Sequence, residues 1–126
     1  MQMLERLAGQ VTIIDLEGSL TLTDGVERLE SKINDLLLSR RTSVVLNLRA
    51  VRYIDSEGLG QLVTCYRLLA KAAGGLKLLH VGTRHLKLLS ITGLLSVFDT
   101  FESEDDAVRS FPDLLGVSSP LKASSR

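Results

Sequence analysis

A short polar and glycine-rich segment in the middle of the chain places a serine hydroxyl where chemistry is feasible. The segment covers residues 55–60 and consists of Asp55, Ser56, Glu57, Gly58, Leu59 and Gly60. A serine can carry a phosphate, which adds roughly −1.5 to −2 charges at neutral pH. If a helix begins here, its unpaired N–H groups and partial positive charge favour that phosphate. The pattern therefore indicates a site where modification changes the local charge.

A purely structural interpretation accounts for the same residues. Asp and Ser are favoured helix N-caps, and Gly is common in tight turns between a strand and a helix. On residue chemistry alone, helix capping is the more economical explanation of Asp55 and Ser56. The segment by itself leaves both interpretations open.

The elements on either side of the segment are predicted from hydrophobic periodicity. Residues 44–48 predict a short buried strand, and residues 49–54 predict a brief connection to the segment. A helix is expected over about residues 57–73, because apolar residues recur there at three- and four-residue spacing. Gly74 and Gly75 are expected to end it. The predicted buried stripe consists of Leu59, Leu62, Val63, Tyr66, Leu69, Ala70 and Ala73.

The first part of the chain predicts a hairpin followed by a helix. Residues 3–7 and 11–17 are extended runs separated by a short loop with a glycine, and residues 18–23 predict a turn-rich connection. Asp24 and Glu27 have the spacing of a capping box for the first helix. The buried stripe of that helix is expected to be Val26, Leu29, Ile33, Leu36 and Leu37.

The last part continues the alternation of strands and helices. A strand is predicted over residues 76–81, a helix over 83–91 with Leu86 and Leu89 facing inward, and a strand over 97–101. A final helix is predicted over residues 103–111, with Ser103 as its N-cap.

This order of elements predicts a single α/β domain. We expect a central mixed, mostly parallel sheet of about five strands with about four helices packed against it. The domain is expected to cover residues 1–111. Residues 112–126 lack periodicity and are expected to form a polar, flexible C-terminal tail.

The composition argues against several classes of function. Fifteen basic and fifteen acidic residues give a formal net charge of zero, so no overall field attracts nucleic acid or anionic lipid. Apolar runs are far shorter than the roughly 20 residues that cross a bilayer, and no signal-peptide pattern opens the sequence. Cys65 is the single cysteine, which fits a reducing compartment. We therefore expect a cytoplasmic protein without nucleic-acid binding or membrane insertion.

The remaining reactive residues form no recognisable catalytic or metal-binding pattern. His80 and His85 are the only histidines, and neither has a ligand partner at a metal-binding spacing. Ser56 lacks the Gly-x-Ser-x-Gly context of a nucleophile, and no phosphate-binding loop of the Gly-Lys-(Ser/Thr) type occurs. Cys65 is expected to be a packed thiol. Arg84 is expected to be a solvated charge, with contact to a phosphate as the alternative. We expect no enzymatic activity, metal or cofactor.

The sequence also resembles the STAS domain of bacterial anti-sigma-factor antagonists. The resemblance is most specific over residues 44–63, VVLNLRAVRYIDSEGLGQLV. Members of that family have an apolar strand, then Asp-Ser-(Ser/Thr)-Gly-Leu-Gly, then an apolar helix. Residues 11–20 resemble the early strand of the family, and residues 75–101 resemble its later strand, short helix, Thr-Gly-Leu turn and last strand. The resemblance covers roughly residues 3–111.

The resemblance implies a partner-switching function. In such antagonists the serine after the Asp, here Ser56, is phosphorylated by an anti-sigma serine kinase. The unphosphorylated antagonist binds that kinase, the phosphorylated form is released, and a PP2C-type phosphatase resets it. By the same resemblance, Asp55 orients the serine, while Gly58 and Gly60 allow a partner's backbone to approach closely.

One residue departs from the family pattern. Glu57 stands where the family has Ser or Thr, and it adds a permanent negative charge next to Ser56. It either contacts a basic patch on a particular kinase or partly mimics the phosphorylated state. Two further functions stay open: a STAS scaffold subunit of a signalling or transport complex, and a nucleotide or small-ligand sensor.

Overall fold

Five strands and four helices alternate in the part of the chain that the computed structural model describes, residues 1–112. The elements are β1 (Gln2–Ala8), β2 (Val11–Leu20), α1 (Val26–Leu38), β3 (Ser43–Ile54), α2 (Ser56–Lys71), β4 (Gly75–Leu79), α3 (Thr83–Ile91), β5 (Asp99–Phe101) and α4 (Glu104–Arg109). The predicted tail, apart from Pro112, lies outside the described residues.

The strands form one sheet in the order β1-β2-β3-β4-β5. β1 pairs antiparallel with β2, while the β2–β3, β3–β4 and β4–β5 pairs are parallel. The predicted hairpin is therefore present, and the mixed, mostly parallel sheet with four helices is confirmed. The carboxyl ends of β2 and β3 lie side by side, because Leu20 pairs with Ile54. This edge of the sheet is where α2 begins.

The helices divide unequally between the two faces of the sheet. The larger core lies under α1, α2 and α3 and includes Ile14, Leu46 and Leu62. A smaller cluster on the opposite face joins Ile13, Val45 and Leu79 to Ala107 of α4. The interior strands β2, β3 and β4 consequently contribute buried residues to both faces of the sheet.

Two predicted connections turn out to be strand. β2 continues to Leu20 and β3 to Ile54, so the predicted turn-rich connection over 18–23 was wrong for residues 18–20, and the predicted connection over 49–54 was wrong throughout. Register shifts between β2 and β3 interrupt the regular alternation of their side chains. Val51 and Ile54 are buried, three residues apart, while Arg52 and Tyr53 between them are exposed. Because these buried residues are three positions apart, residues 51–54 do not show the apolar–polar alternation by which a strand is predicted.

Helix α1 does not begin with the predicted capping box. Its N-cap is Gly25 at a φ of 105°, which a residue with a side chain rarely adopts, and no side chain caps the helix. Asp24 instead forms an ion pair with the amino group of Met1. The predicted stripe is largely correct, since Leu29, Ile33 and Leu36 are buried.

Helix α2 is shorter than predicted and buries a slightly different face. It ends at Lys71, and both Ala70 and Ala73 are exposed rather than part of the buried stripe. Cys65, which was not part of the predicted stripe, is fully buried. Burial raises the pKa of the Cys65 thiol to about 11. Cys65 is therefore a packed, protonated thiol in the native protein.

Of the later elements, α3 has its predicted bounds, while β4, β5 and α4 are shorter than predicted. β4 ends at Leu79 instead of residue 81, β5 begins at Asp99 instead of residue 97, and α4 covers only Glu104–Arg109. The predicted N-cap of α4 is confirmed, because the Ser103 hydroxyl accepts a hydrogen bond from the backbone N–H of Asp106 at 3.2 Å. Among the helices of residues 1–112, none is long and apolar enough to cross a membrane.

Candidate functional site

Ser56 is the first residue of α2 and follows the carboxyl end of β3 after a single intervening residue. The side chain of Ser56 is exposed, and so is that of Glu57. Ile54, which precedes the segment, is only 7% exposed and anchors the strand end in the core. The hydroxyl is thus presented on the surface by a backbone that is fixed on both sides.

Asp55 is the N-cap of α2 and connects it to the loop after β2. One carboxylate oxygen, Oδ1, accepts a hydrogen bond from the backbone N–H of Gly58 at 2.8 Å. The other, Oδ2, accepts one from the backbone N–H of Leu22 at 3.1 Å. In addition, the Asp55 N–H donates to the carbonyl oxygen of Leu20 at 3.3 Å. Asp55 therefore fixes the position of the residue that follows it, Ser56.

These hydrogen bonds also set the charge state of Asp55. The Gly58 N–H, aided by that of Leu22, holds the pKa of the Asp55 carboxyl below its usual range, because both donors favour the ionised form. At neutral pH the start of α2 therefore carries the charge of Asp55 together with that of Glu57. Negative charge in the first turn of a helix is favourable.

The two glycines of the segment have different environments. A Cβ added to Gly58 would lie 2.0 Å from the carbonyl oxygen of Leu20, so this position requires glycine for packing within the chain. At Gly60 nothing lies within 4 Å of such a Cβ. Gly60 is exposed and stands four residues after Ser56, on the same side of α2. The missing side chain leaves the surface beside the Ser56 hydroxyl open.

The segment therefore divides into a buried and an exposed half. Gly58 and Leu59 are buried and hold the helix start against the sheet, while Ser56, Glu57 and Gly60 form the accessible surface. The sequence did not predict that Leu20 and Leu22 belong to the site, since they lay in an expected connection. Only the parallel pairing of β2 with β3 brings them to Asp55, and no local pattern signals it.

The histidines make other contacts. His85 is buried on α3, and its Nε2 lies 2.9 Å from the carbonyl oxygen of Val51. The Nε2 atom of His80 lies 3.1 Å from Nη2 of Arg49. Within residues 1–112 no group of three or more His, Cys, Asp or Glu side chains is arranged to hold a metal ion. The site presents a hydroxyl on a rigid surface.

Residues 4–107 match the model of the STAS domain family. The chain belongs to this family. Among curated proteins, this STAS domain is 36% identical over 62 residues to an anti-sigma-B factor antagonist of Bacillus subtilis, a match covering 49% of the chain and 57% of that relative. It is 28% identical over 101 residues to an anti-sigma F factor antagonist of Paenibacillus polymyxa, covering 78% and 84% of the two chains.

Solved structures show the same fold. A crystal structure of an anti-sigma factor antagonist from Mycobacterium paratuberculosis superposes with a TM-score of 0.77 at 24% identity, covering 89% of this STAS domain and 94% of that chain. At this identity the similarity concerns the fold. It agrees with the five-stranded sheet and the placement of α2 at its edge.

Proposed function

We propose that this STAS domain is an anti-sigma-factor antagonist in a partner-switching pathway. Unphosphorylated, it binds an anti-sigma serine kinase; phosphorylation at Ser56 by that kinase releases it, and a PP2C-type phosphatase restores the binding form. The protein is then a substrate and regulator, not an enzyme. This function places it in the cytoplasm, where transcription is regulated.

The observation that carries the proposal is the geometry of Ser56. Its hydroxyl is exposed at the first position of α2, and the backbone around it is fixed by the hydrogen bonds of Asp55 to Gly58 and Leu22. A kinase requires an accessible hydroxyl, and a reversible switch requires a surface that keeps its shape when charge is added. The names of the two curated relatives support the same assignment.

Release of the phosphorylated protein from the kinase follows from electrostatic repulsion and lost hydration at their contact. A phosphate on Ser56 would stand beside Asp55 and Glu57, so the surface would gain negative charge where two carboxylates already lie. In a contact with a partner, that added charge loses hydration and repels neighbouring acidic groups. The unpaired N–H groups at the start of α2 stabilise the phosphate within the chain, so the fold itself tolerates the modification.

Glu57 is the residue of the segment that departs from the family pattern. Its side chain is exposed next to Ser56 and is available to a partner. Because the acceptor serine is retained, we favour contact of Glu57 with a basic patch on the kinase over mimicry of the phosphorylated state. A Glu57→Ser variant separates the two: weaker kinase binding supports contact, and stronger binding supports mimicry.

Phosphate incorporation tests the function. The full chain is incubated with ATP and a cognate anti-sigma serine kinase, and its intact mass is measured. We expect one phosphate on the wild type and on Ser31→Ala, which removes an exposed serine of α1, and none on Ser56→Ala. Wild-type protein that stays unmodified, or modification that persists in Ser56→Ala, would overturn the assignment.

The same preparation distinguishes the alternatives. A scaffold subunit would co-purify with a complex irrespective of Ser56, and a nucleotide sensor would bind ATP without transfer of its phosphate. Either result in place of a single phosphate at Ser56 would redirect the assignment.

A further inference from the structure

A groove of about 330 Å³ runs between the end of β3 and α3, next to the Ser56 segment. We call it the β3–α3 groove; it is lined by Tyr53, Ile54, Arg84, Lys87, Leu88 and Ile91. Ile54, which lines the groove, is two residues before Ser56, so the groove lies at the strand end that leads to the exposed hydroxyl.

Large apolar side chains in the lining of the groove are exposed to solvent. Ile91 is 75% exposed and Tyr53 is 54% exposed, although both are large. Single exposed apolar side chains are common on protein surfaces, but here two of them flank a concave surface with Leu88. Such a surface gains free energy when apolar groups of a ligand cover it.

The charges around the groove have one sign. Arg84 and Lys87 are exposed on its α3 side, and no carboxylate is among its lining residues. Within residues 1–112 the ion pairs of the chain involve other cations, so both side chains keep their charge available. The complementary ligand is therefore apolar and negatively charged.

The lining residues of α3 are also arranged in a row. Arg84, Leu88 and Ile91 follow at intervals of four and three residues, which spans about 10 Å along one side of the helix. An elongated strip that carries both cationic and apolar contacts fits an amphipathic peptide segment. We propose that the β3–α3 groove docks an acidic amphipathic segment of the partner protein, beside the surface that Ser56 controls. The identity of that partner rests on the proposed function.

A synthetic probe tests the groove without the partner. The probe is a fluorescein-labelled peptide with Leu and Glu at helical spacing, and the same peptide with Lys in place of Glu is its control. Fluorescence polarisation with the full chain should show saturable binding of the Glu probe only. Binding of both peptides alike, or of neither, would overturn the proposal.

Matched variants locate the binding. The double variant Arg84→Glu/Lys87→Glu should weaken binding of the Glu probe at least about tenfold. The double variant Arg67→Glu/Lys71→Glu makes an equal charge change on α2 and should leave that binding within about twofold of the wild type. Ile91→Ser should weaken it more than Leu38→Ser, which removes a leucine that is 84% exposed on α1. Equal losses in the groove variants and their controls would show non-specific attraction and overturn the proposal.

A labelled variant then tests the partner. Cys65 is buried with a raised pKa, so Ile91→Cys and Leu38→Cys each introduce the one readily labelled thiol. On addition of the anti-sigma kinase, a polarity-sensitive dye should respond at position 91 and not at position 38. A response at neither position overturns the groove as a partner contact, even where Ser56 is phosphorylated. If the groove variants lose binding of the Glu probe but Ser56 is not phosphorylated in the wild type, the proposed function is overturned and the groove proposal stands.

Sedimentation tests a second copy of the chain as the occupant of the groove. A dimer that Ile91→Ser dissociates would show that a second copy binds there, contrary to the proposal.

Discussion

Gly58 of α2 packs directly on Leu20 of β2: a Cβ at Gly58 would lie 2.0 Å from the Leu20 carbonyl oxygen, too close for any side chain. The backbone of β2 cannot retreat easily, because Leu20 is paired with Ile54 in the sheet. This contact ties the start of α2, and with it Ser56, to the sheet.

Replacement of Gly58 by Ala should therefore destabilise the protein. Overpacking of this kind costs roughly 1–3 kcal/mol, and the rigid backbone partner puts Gly58→Ala at the upper end of that range. Gly60→Ala is the matched control, because it lies in the same helix with open space around it. The control should be neutral or stabilising by up to about 1 kcal/mol, since Ala favours helix over Gly. Urea unfolding measures both, and equal effects would contradict the packing argument.

The cap at Asp55 predicts a specific dependence of stability on pH. The folded-state pKa of Asp55 is lowered, so its contribution is fully present above the unfolded-state pKa of about 3.9 and is lost as pH falls through the folded-state value. Asp55→Asn keeps the shape but replaces one acceptor oxygen by an amide nitrogen, so only one of the two N–H donors, Gly58 or Leu22, keeps an acceptor. The wild type should be more stable than Asp55→Asn at pH 6–7, and the difference should shrink below about pH 4. Thermal unfolding of both proteins across that range checks it; a constant difference would count against the charged cap.

A second ionic cluster holds α4 to the hairpin. Arg6 donates from Nε to Asp15 Oδ2 at 2.7 Å and from Nη2 to Glu104 Oε1 at 2.8 Å. These contacts lower the pKa of both carboxyls. Because the cluster is partly exposed, Arg6→Met should lower the free energy of unfolding by only about 1 kcal/mol.

The same variant should have a local signature. Amide hydrogen exchange in α4 should accelerate in Arg6→Met, and the pKa values of Asp15 and Glu104, followed by NMR, should rise. The stabilisation by Arg6 should fade below about pH 4, as these carboxyls protonate. Arg109→Met is the control, because the pair of Arg109 with Asp106 lies on an exposed helix surface. If Arg109→Met matched Arg6→Met in these measurements, the cluster would have no special role.

The fold was predictable where one local rule acted alone. The stripe of Leu29, Ile33 and Leu36 and the cap of Ser103 follow from helical spacing and side-chain chemistry, and both are present. The resemblance added the family, which is confirmed, and the role of Ser56, which stays a prediction. What the sequence could not show depends on pairing between distant segments.

The missed features of the site lie at the parallel pairing of β2 with β3. The strand character of residues 49–54 was hidden by register shifts, and the bond from Leu22 to Asp55 joins segments 33 residues apart. Gly58 looked like a position for a partner's backbone, but its immediate neighbour is Leu20 of the same chain. Such contacts have no local signature, because glycine is equally expected in a turn, at a partner contact or under a strand.

In the proposed function, charge on Ser56 controls the affinity of the protein for the anti-sigma kinase. The most direct test of this control is isothermal titration calorimetry of the full chain with the anti-sigma kinase, before and after stoichiometric phosphorylation of the same preparation. The account predicts binding by the unmodified chain and by Ser56→Ala, and at least about tenfold weaker binding by the phosphorylated chain, or about 1.4 kcal/mol. Equal affinity of the phosphorylated and unmodified chains would contradict it.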